Sequence, residues 1–216
     1  MPSKVLVIAC GAIARELVHI GKLNQWNHIE FQCLPPELHN QPDQIPLAVK
    51  AKIESQAGLF KKVFVAYADC GTGGALDKVL SEHGIERIPG AHCYEFFAGS
   101  DLFRQLSLTE PGSFYLTDFL TRHFERLVIK GLGLDHLPQL KSVYFKNYKR
   151  LVFLAQSDSR ELPPRPRQHA DTLGLNYEYH YCGDKPLYRV LKPALQTETS
   201  PGNTNLHPHK TRLKTS

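Results

Sequence analysis

"KVFVAYADCGTGGALDKVLSEHG", residues 62–84, decides the fold. Its first half is a continuous apolar run too short and too β-branched to read as a helix, so it predicts a strand buried on both faces. The glycines at 71, 73 and 74 break the run. "GALDKVLSEHG" (74–84) then resumes with apolar residues at helical spacing. A buried strand, a glycine turn and a helix make the repeating unit of a parallel sheet.

The same grammar extends in both directions. Upstream, "KVLVIAC" (4–10) runs into Gly11 and the helical "AIARELVHIGKL", and "IEFQCL" (29–34) is a second strand closed by Pro35 and Pro36. "IPLAVKAKIESQAG" (45–58) reads as a helix with Gly58 near its end. Downstream, "IERIPGAHC" (85–93) predicts a shorter fourth strand, and "YEFFAGSDLFRQL" (94–106) starts helically. "LTDFLTRHFERLVIKGLG" (116–133) predicts a long amphipathic helix, with Thr117 as N-cap. "RLVFLAQ" (150–156) is another buried strand. "LPPRPRQHADTLGL" begins as a proline-rich loop and ends as a helix, and "NYEYHYC" (176–182) alternates as a final strand. The expected class is α/β, a mainly parallel, Rossmann-like open sheet with helices on both faces. Residues 1–195 are expected to form a single domain. Residues 196–216, without periodicity and with almost no large apolar side chains, are expected to be a disordered tail.

Composition sets the outer limits. The chain has 216 residues, 42% hydrophobic and 22% charged, the proportions of an ordinary globule. No apolar run approaches a membrane span of about 18 residues, and the N-terminal apolar run is too short for an export signal, so no membrane partner and a cytoplasmic location are expected. The net charge is +5, of which +2 falls in the last twenty residues. Nucleic-acid binding wants a concentrated basic face. The nearest stretch, "YFKNYKR" (144–150), reads as wetted surface before a strand, so no nucleic-acid partner is expected.

Five cysteines, an odd set in a reducing compartment, argue against a disulfide framework and toward metal ligation, catalysis or burial. Cys10, Cys33, Cys70 and Cys93 each lie at or just beyond the end of one of the first four predicted strands. In an open parallel sheet those ends share the edge where ligands bind. Cysteine also closes core strands simply because it is small and apolar. Four in succession, each beside Gly, Pro or His, suggest shared thiol chemistry. Cys10 and Cys70 precede predicted helix starts, whose unpaired N–H groups favour thiolate. Up to four thiolates, or three with His39 or His92, form the donor set of zinc or an iron–sulfur cluster. No CxxC pair is present, so the fold alone would have to assemble the site.

The neighbours supply further candidates. Gly71, Gly73 and Gly74 fit either a cradle for a phosphate or carboxylate, or a tight turn that needs positive φ. Arg15 could hold an anion at the same rim, or make a surface ion pair. Asp69 reads as a base or ligand-orienting carboxylate, or as a helix cap; Glu95, in "GAHCYEF" (90–96), as a catalytic carboxylate or as a first-turn acid of a helix. Cys70 is the candidate nucleophile.

"IACGAIARE", "CLPPELHN", "VAYADCGTGG", "GAHCYEFFAG", "FYLTDFLTRHF", "GLGLD" and "LVFLAQ" together resemble a bacterial and archaeal family known only as a domain of unknown function, over about residues 5–190. That resemblance implies a cytoplasmic protein found among corrinoid-dependent methyltransferase components, hence one-carbon metabolism. "DCGTGG" also resembles the "DSGVGG" of glutamate racemases, α/β enzymes with two opposed cysteines, although their other cysteine motifs are missing. Three functions are therefore weighed. The first is a thiolate metal or iron–sulfur site at the sheet rim, serving a small-molecule substrate or corrinoid methyltransferase components. The second is a metal-free racemase or isomerase with Cys10 or Cys70 opposed to Cys93. The third is a non-catalytic assembly protein for which the cysteines are dispensable.

Overall fold

In the computed structural model, residues 4–157 and 165–195 are described. The expected tail, 196–216, and the start of the proline-rich loop lie outside them. Seven strands are observed: β1 (Val5–Cys10), β2 (Ile29–Leu34), β3 (Lys62–Ala66), β4 (Glu86–Arg87), β5 (Ser113–Thr117), β6 (Arg150–Ala155) and β7 (Asn176–Tyr181). They alternate with helices α1 (Ala14–Leu23), α2 (Ile45–Ser55), α3 (Ala75–Glu82), α4 (Tyr94–Ala98), α5 (Ser100–Thr109), α6 (Asp118–Arg122), α7 (Leu140–Tyr144), α8 (Arg165–Leu173) and α9 (Lys185–Leu195). Every pairing is parallel, so the α/β class expected from strand–helix alternation is observed. The strands are shared between two sheets, ordered β2-β1-β3-β4 and β5-β6-β7. None of the described helices is long and apolar enough to cross a membrane.

The two sheets meet through β6, and alternation along that strand explains how. Val152 and Leu154 join an apolar cluster with β1, β3, α1 and α2, while Leu151, Phe153 and Ala155 join a second cluster with Leu116, Phe124 and Leu173. Successive side chains of a strand point to opposite faces, so one strand with no polar position in its interior serves two cores. Helix α9 then returns to the first core, burying Leu187, Leu191 and Leu195 at four-residue spacing.

Two segments differ from the sequence expectation. The predicted helix 116–133 is preceded and partly replaced by β5, then broken into α6 and a π-helical turn, Glu125–Lys130. Thr117 does cap α6, its hydroxyl accepting from Leu120 N at 3.3 Å. The fourth strand shrinks to Glu86–Arg87, since Pro89 has no N–H to give the ladder. The ladder nonetheless resumes beyond it. Ile88 N donates to Val65 O, Asp69 N to Gly90 O at 3.1 Å and Cys70 N to Ala91 O at 2.9 Å.

In the first sheet, β1 connects to β2 on one side, and the chain then crosses β1 to reach β3 on the other. This reversal splays the connections apart at the C-terminal ends of β1 and β3, where open parallel sheets bind ligands. Cys10 ends β1, and Cys70 lies four residues beyond β3.

Candidate metal centre

Four peptide segments deliver the thiols and the imidazole. Cys10, buried, ends β1 and caps the short 3-10 turn Gly11–Ile13, its sulfur accepting from Ala12 N at 3.3 Å. His39 comes from the 3-10 turn Pro36–Asn40 that follows β2, and its Nδ1 lies 3.5 Å from Cys10 Sγ. Cys70 and Cys93 are brought together by the resumed ladder, which anchors Cys70 to Ala91, two residues before Cys93. Their sulfurs are 3.0 Å apart. One donor atom each of His39, Cys70 and Cys93 fall within 4.8 Å of one another.

Cys70 carries a backbone signature of its own. It adopts φ = 50°, the left-handed region, and the turn continues with positive φ at Gly71, Gly73 and Gly74. A residue with a Cβ pays for that conformation, and such strain collects at functional sites.

The electrostatics divide the protons unevenly. The hydrogen bond from Cys93, against the opposing effect of burial, and then the bond to His39 draw the Cys70 thiol down to about 5. Cys93 is pushed well above its ordinary value, first by its hydrogen bond to Cys70 and then by burial, and so remains the S–H donor of the pair. Burial works against the His39 imidazolium, but the hydrogen bonds to Cys10 and Cys70 prevail and raise it to about 10. Tyr67, fully buried at the end of β3, has a hydroxyl with no hydrogen-bond partner in the structure. Burial and the charges of Cys10, Cys93 and Cys70 raise its phenol, so it keeps its proton among the thiols. Nothing in the residue order singles out Tyr67 beyond its place two residues before Asp69.

Over this cluster lies a cavity of about 380 Å³. Cys10, His39, Cys70, His92 and Cys93 form its polar end, and Phe97, Phe114, Phe119, Leu127, Phe145 and Tyr148 are among its apolar walls. The "YFKNYKR" stretch is largely exposed, as expected of wetted surface, yet its Tyr144, Phe145 and Tyr148 also border this cavity. Arg150, from the same stretch, ties the second sheet together through Ser113, Glu178 and the Leu106 carbonyl. The π-helical turn shapes another wall. Asn40, next to His39, donates to Leu127 O at 3.1 Å, and a Cβ on Gly131 would stand 2.3 Å from that oxygen and 2.6 Å from Asn40 Nδ2.

The other candidates fall elsewhere. Cys33 is exposed and outside the donor group. It lies one residue before the end of β2, opposite Ala9, and alternation sends Leu34 inward and Cys33 out. Asp69 is a cap: its carboxylate accepts from Thr72 Oγ1 (2.7 Å), Gly74 N (2.9 Å) and Gly73 N (3.2 Å), bonds that hold it below the usual carboxylate range. Those bonds also occupy the amides that would have cradled a phosphate, and the three glycines serve the turn. Glu95 accepts from Ser100 Oγ at 2.8 Å and lines a different crevice, with Gly90 and Arg189. Arg15 is exposed beside Glu16, His19 and Asp184, in a crevice separate from the thiols. His92 is exposed and borders the cavity without joining the three donors.

The donor set suits a borderline-soft cation. Bonds of about 2.3 Å to sulfur place two thiolates of a tetrahedral zinc roughly 3.8 Å apart, so the sulfurs need to separate by less than an ångström from their present contact. Three protein ligands leave the fourth position of a tetrahedron to a ligand from the cavity, the pattern of reactive rather than purely structural zinc.

Residues 33–188 match the family described as "Protein of unknown function (DUF1638)", and the chain belongs to that family. No curated protein and no solved structure matches it.

Proposed function

We propose that this member of the family is a zinc-type thiolate–imidazole protein that binds a small molecule through the metal at the floor of the cavity. The carrying observation is the convergence of His39, Cys70 and Cys93 within 4.8 Å at the foot of a 380 Å³ cavity. A bound zinc ion supplies Lewis acidity and lowers the pKa of a thiol or water that it binds. The protein's own residues prepare the site. Cys70 is drawn toward thiolate by Cys93 and His39, and Cys10 holds His39 by Nδ1. Cys70 and Cys93 are buried, where charge interactions are stronger than in water.

Two thiolates, one imidazole and a neighbouring Cys10 favour a single ion over an iron–sulfur cluster, which is held by four cysteine sulfurs in its common form. The family resemblance extends the reading to methyl transfer, with the metal-bound molecule as methyl acceptor and a corrinoid protein as partner. A corrin ring is larger than this cavity, so such a partner would meet the bound acceptor at the mouth. The metal-free two-cysteine reading is disfavoured for Cys70 and Cys93. Thiols in contact at 3.0 Å cannot take opposite faces of one carbon.

The test is metal analysis of protein purified without air, before and after incubation with zinc. About one equivalent bound, lost in Cys70→Ala and Cys93→Ala but retained in Cys33→Ser, supports the proposal. Less than about a tenth of an equivalent after zinc loading refutes it.

A further inference from the structure

The cavity above the donors says what kind of molecule would reach them. Among the described residues its lining holds no Lys, Arg, Asp or Glu. Apart from Cys10, the three donors, Asn40, His92, Thr117 and three tyrosines, the lining side chains are apolar. The far wall is an aromatic group in which Phe114 meets Phe145 and Tyr148 edge-on at centroid distances of 5.4 and 5.9 Å, and Phe145 meets Tyr148 at 5.5 Å. Rings already packed against one another present a continuous apolar surface rather than separate faces that could sandwich a cation. A charged ligand body would lose its hydration against these walls and find no Lys, Arg, Asp or Glu there. An apolar body displaces water from about 380 Å³ at a gain proportional to the area it covers. At the floor, thiolate and imidazole donors select a metal that prefers sulfur and nitrogen ligands.

We infer that the ligand of this cavity is a small uncharged organosulfur compound, a thiol or thioether with an aryl or branched alkyl body, its sulfur toward His39, Cys70 and Cys93 and its body against Phe114, Phe145 and Tyr148. This inference rests on the zinc reading above and adds to it the class of molecule. It separates this site from one built for a short anionic thiol, which would need a cation in the wall.

The experiment is calorimetric titration of the zinc-loaded protein with three probes: benzyl mercaptan, benzyl alcohol and 2-mercaptoethanesulfonate. The expected result is that benzyl mercaptan binds at least tenfold more tightly than either of the others. Benzyl alcohol lacks the soft donor, and the sulfonate carries a charge into an apolar wall. Leu132→Trp, which fills the cavity without touching a donor, should keep its zinc and lose at least tenfold in benzyl mercaptan affinity; Leu120→Phe serves if Leu132→Trp does not fold. Zinc bound with no preference for benzyl mercaptan, or a preference unchanged by cavity filling, overturns the inference and leaves the zinc reading standing. Protein that takes up no zinc overturns the zinc reading and the inference together.

Discussion

Cys70 offers a test in which backbone and side chain give separable signals. At φ = 50° a residue with a Cβ is strained by about 1–2 kcal/mol, and glycine is not. Glycine costs about 0.4–1 kcal/mol through the greater freedom of the unfolded chain. Cys70→Gly should therefore be more stable than Cys70→Ala by roughly 0.5–1 kcal/mol, the reverse of the usual order of alanine and glycine. For a chain of this length each kcal/mol moves the melting temperature by about 2–4 °C, so the gap should be on the order of 1–4 °C. Both variants lose the buried sulfur equally and cancel in the comparison. The assay is scanning calorimetry of both variants in excess chelator, because bound metal would add its own stabilisation. Metal content is then measured on the same preparations after zinc loading, and both should bind well below one equivalent. An alanine variant more stable than the glycine variant would refute the account of strain. Either variant holding a full equivalent of zinc would refute the role of Cys70 as a donor.

His39→Ala should abolish zinc retention while lowering stability little, because no residue of the turn Pro36–Asn40 belongs to the core; zinc content and melting temperature of the same sample check this. Gly131→Ala should destabilise by about 1–3 kcal/mol, as overpacking does, because a Cβ there meets Leu127 O and Asn40 Nδ2; a melting curve within 1 °C of the parent would contradict it. Arg87 grips both oxygens of Asp77 at 2.6 and 2.8 Å, and its hydrogen bonds, against some burial, hold that carboxyl below its ordinary 3.8. The depressed value means the stabilisation is complete above about pH 4 and fades as the pH falls through the folded-state value. The stability gap between the parent and Asp77→Asn should accordingly shrink on acidification from pH 6 to 3, and a gap that widens would reverse the sign. Deleting 185–195 should unfold the first core, since Leu187, Leu191 and Leu195 are buried in it, whereas a stop after Leu195 should leave the melting temperature unchanged.

Much of the architecture could be read from residue order because the buried strands are unambiguous. "VLVIAC" and "RLVFLA" carry no polar interior position, and "IEFQCL" ends on two prolines. What escaped was where two periodicities overlap. Ser113–Thr117 is a five-residue strand directly abutting α6, and the apolar spacing of Phe119, Phe124, Leu127 and Val128 drew the helix across the junction. The division into two sheets was not legible either, since nothing local distinguishes a strand that pairs with β3 from one that starts a new sheet. At the site, strand-end position found Cys10, Cys70 and Cys93, but that argument fixes only the edge and not the face. Cys33, one residue short of its strand end, therefore pointed out. His39 lies in a turn with no periodicity to orient it. Tyr67 and the aromatic wall arrive through tertiary packing alone.

The cavity's two halves come from different lengths of chain. Its donors lie between Cys10 and Cys93, on the first sheet and its loops, whereas most of its apolar wall lies between Phe97 and Tyr148, around the second. A chain so arranged can be respecified piecemeal. Substitutions in the later stretch would reshape what is admitted while His39, Cys70 and Cys93 stay as they are, so one set of thiols and imidazole could be lent to a succession of different molecules without being rebuilt.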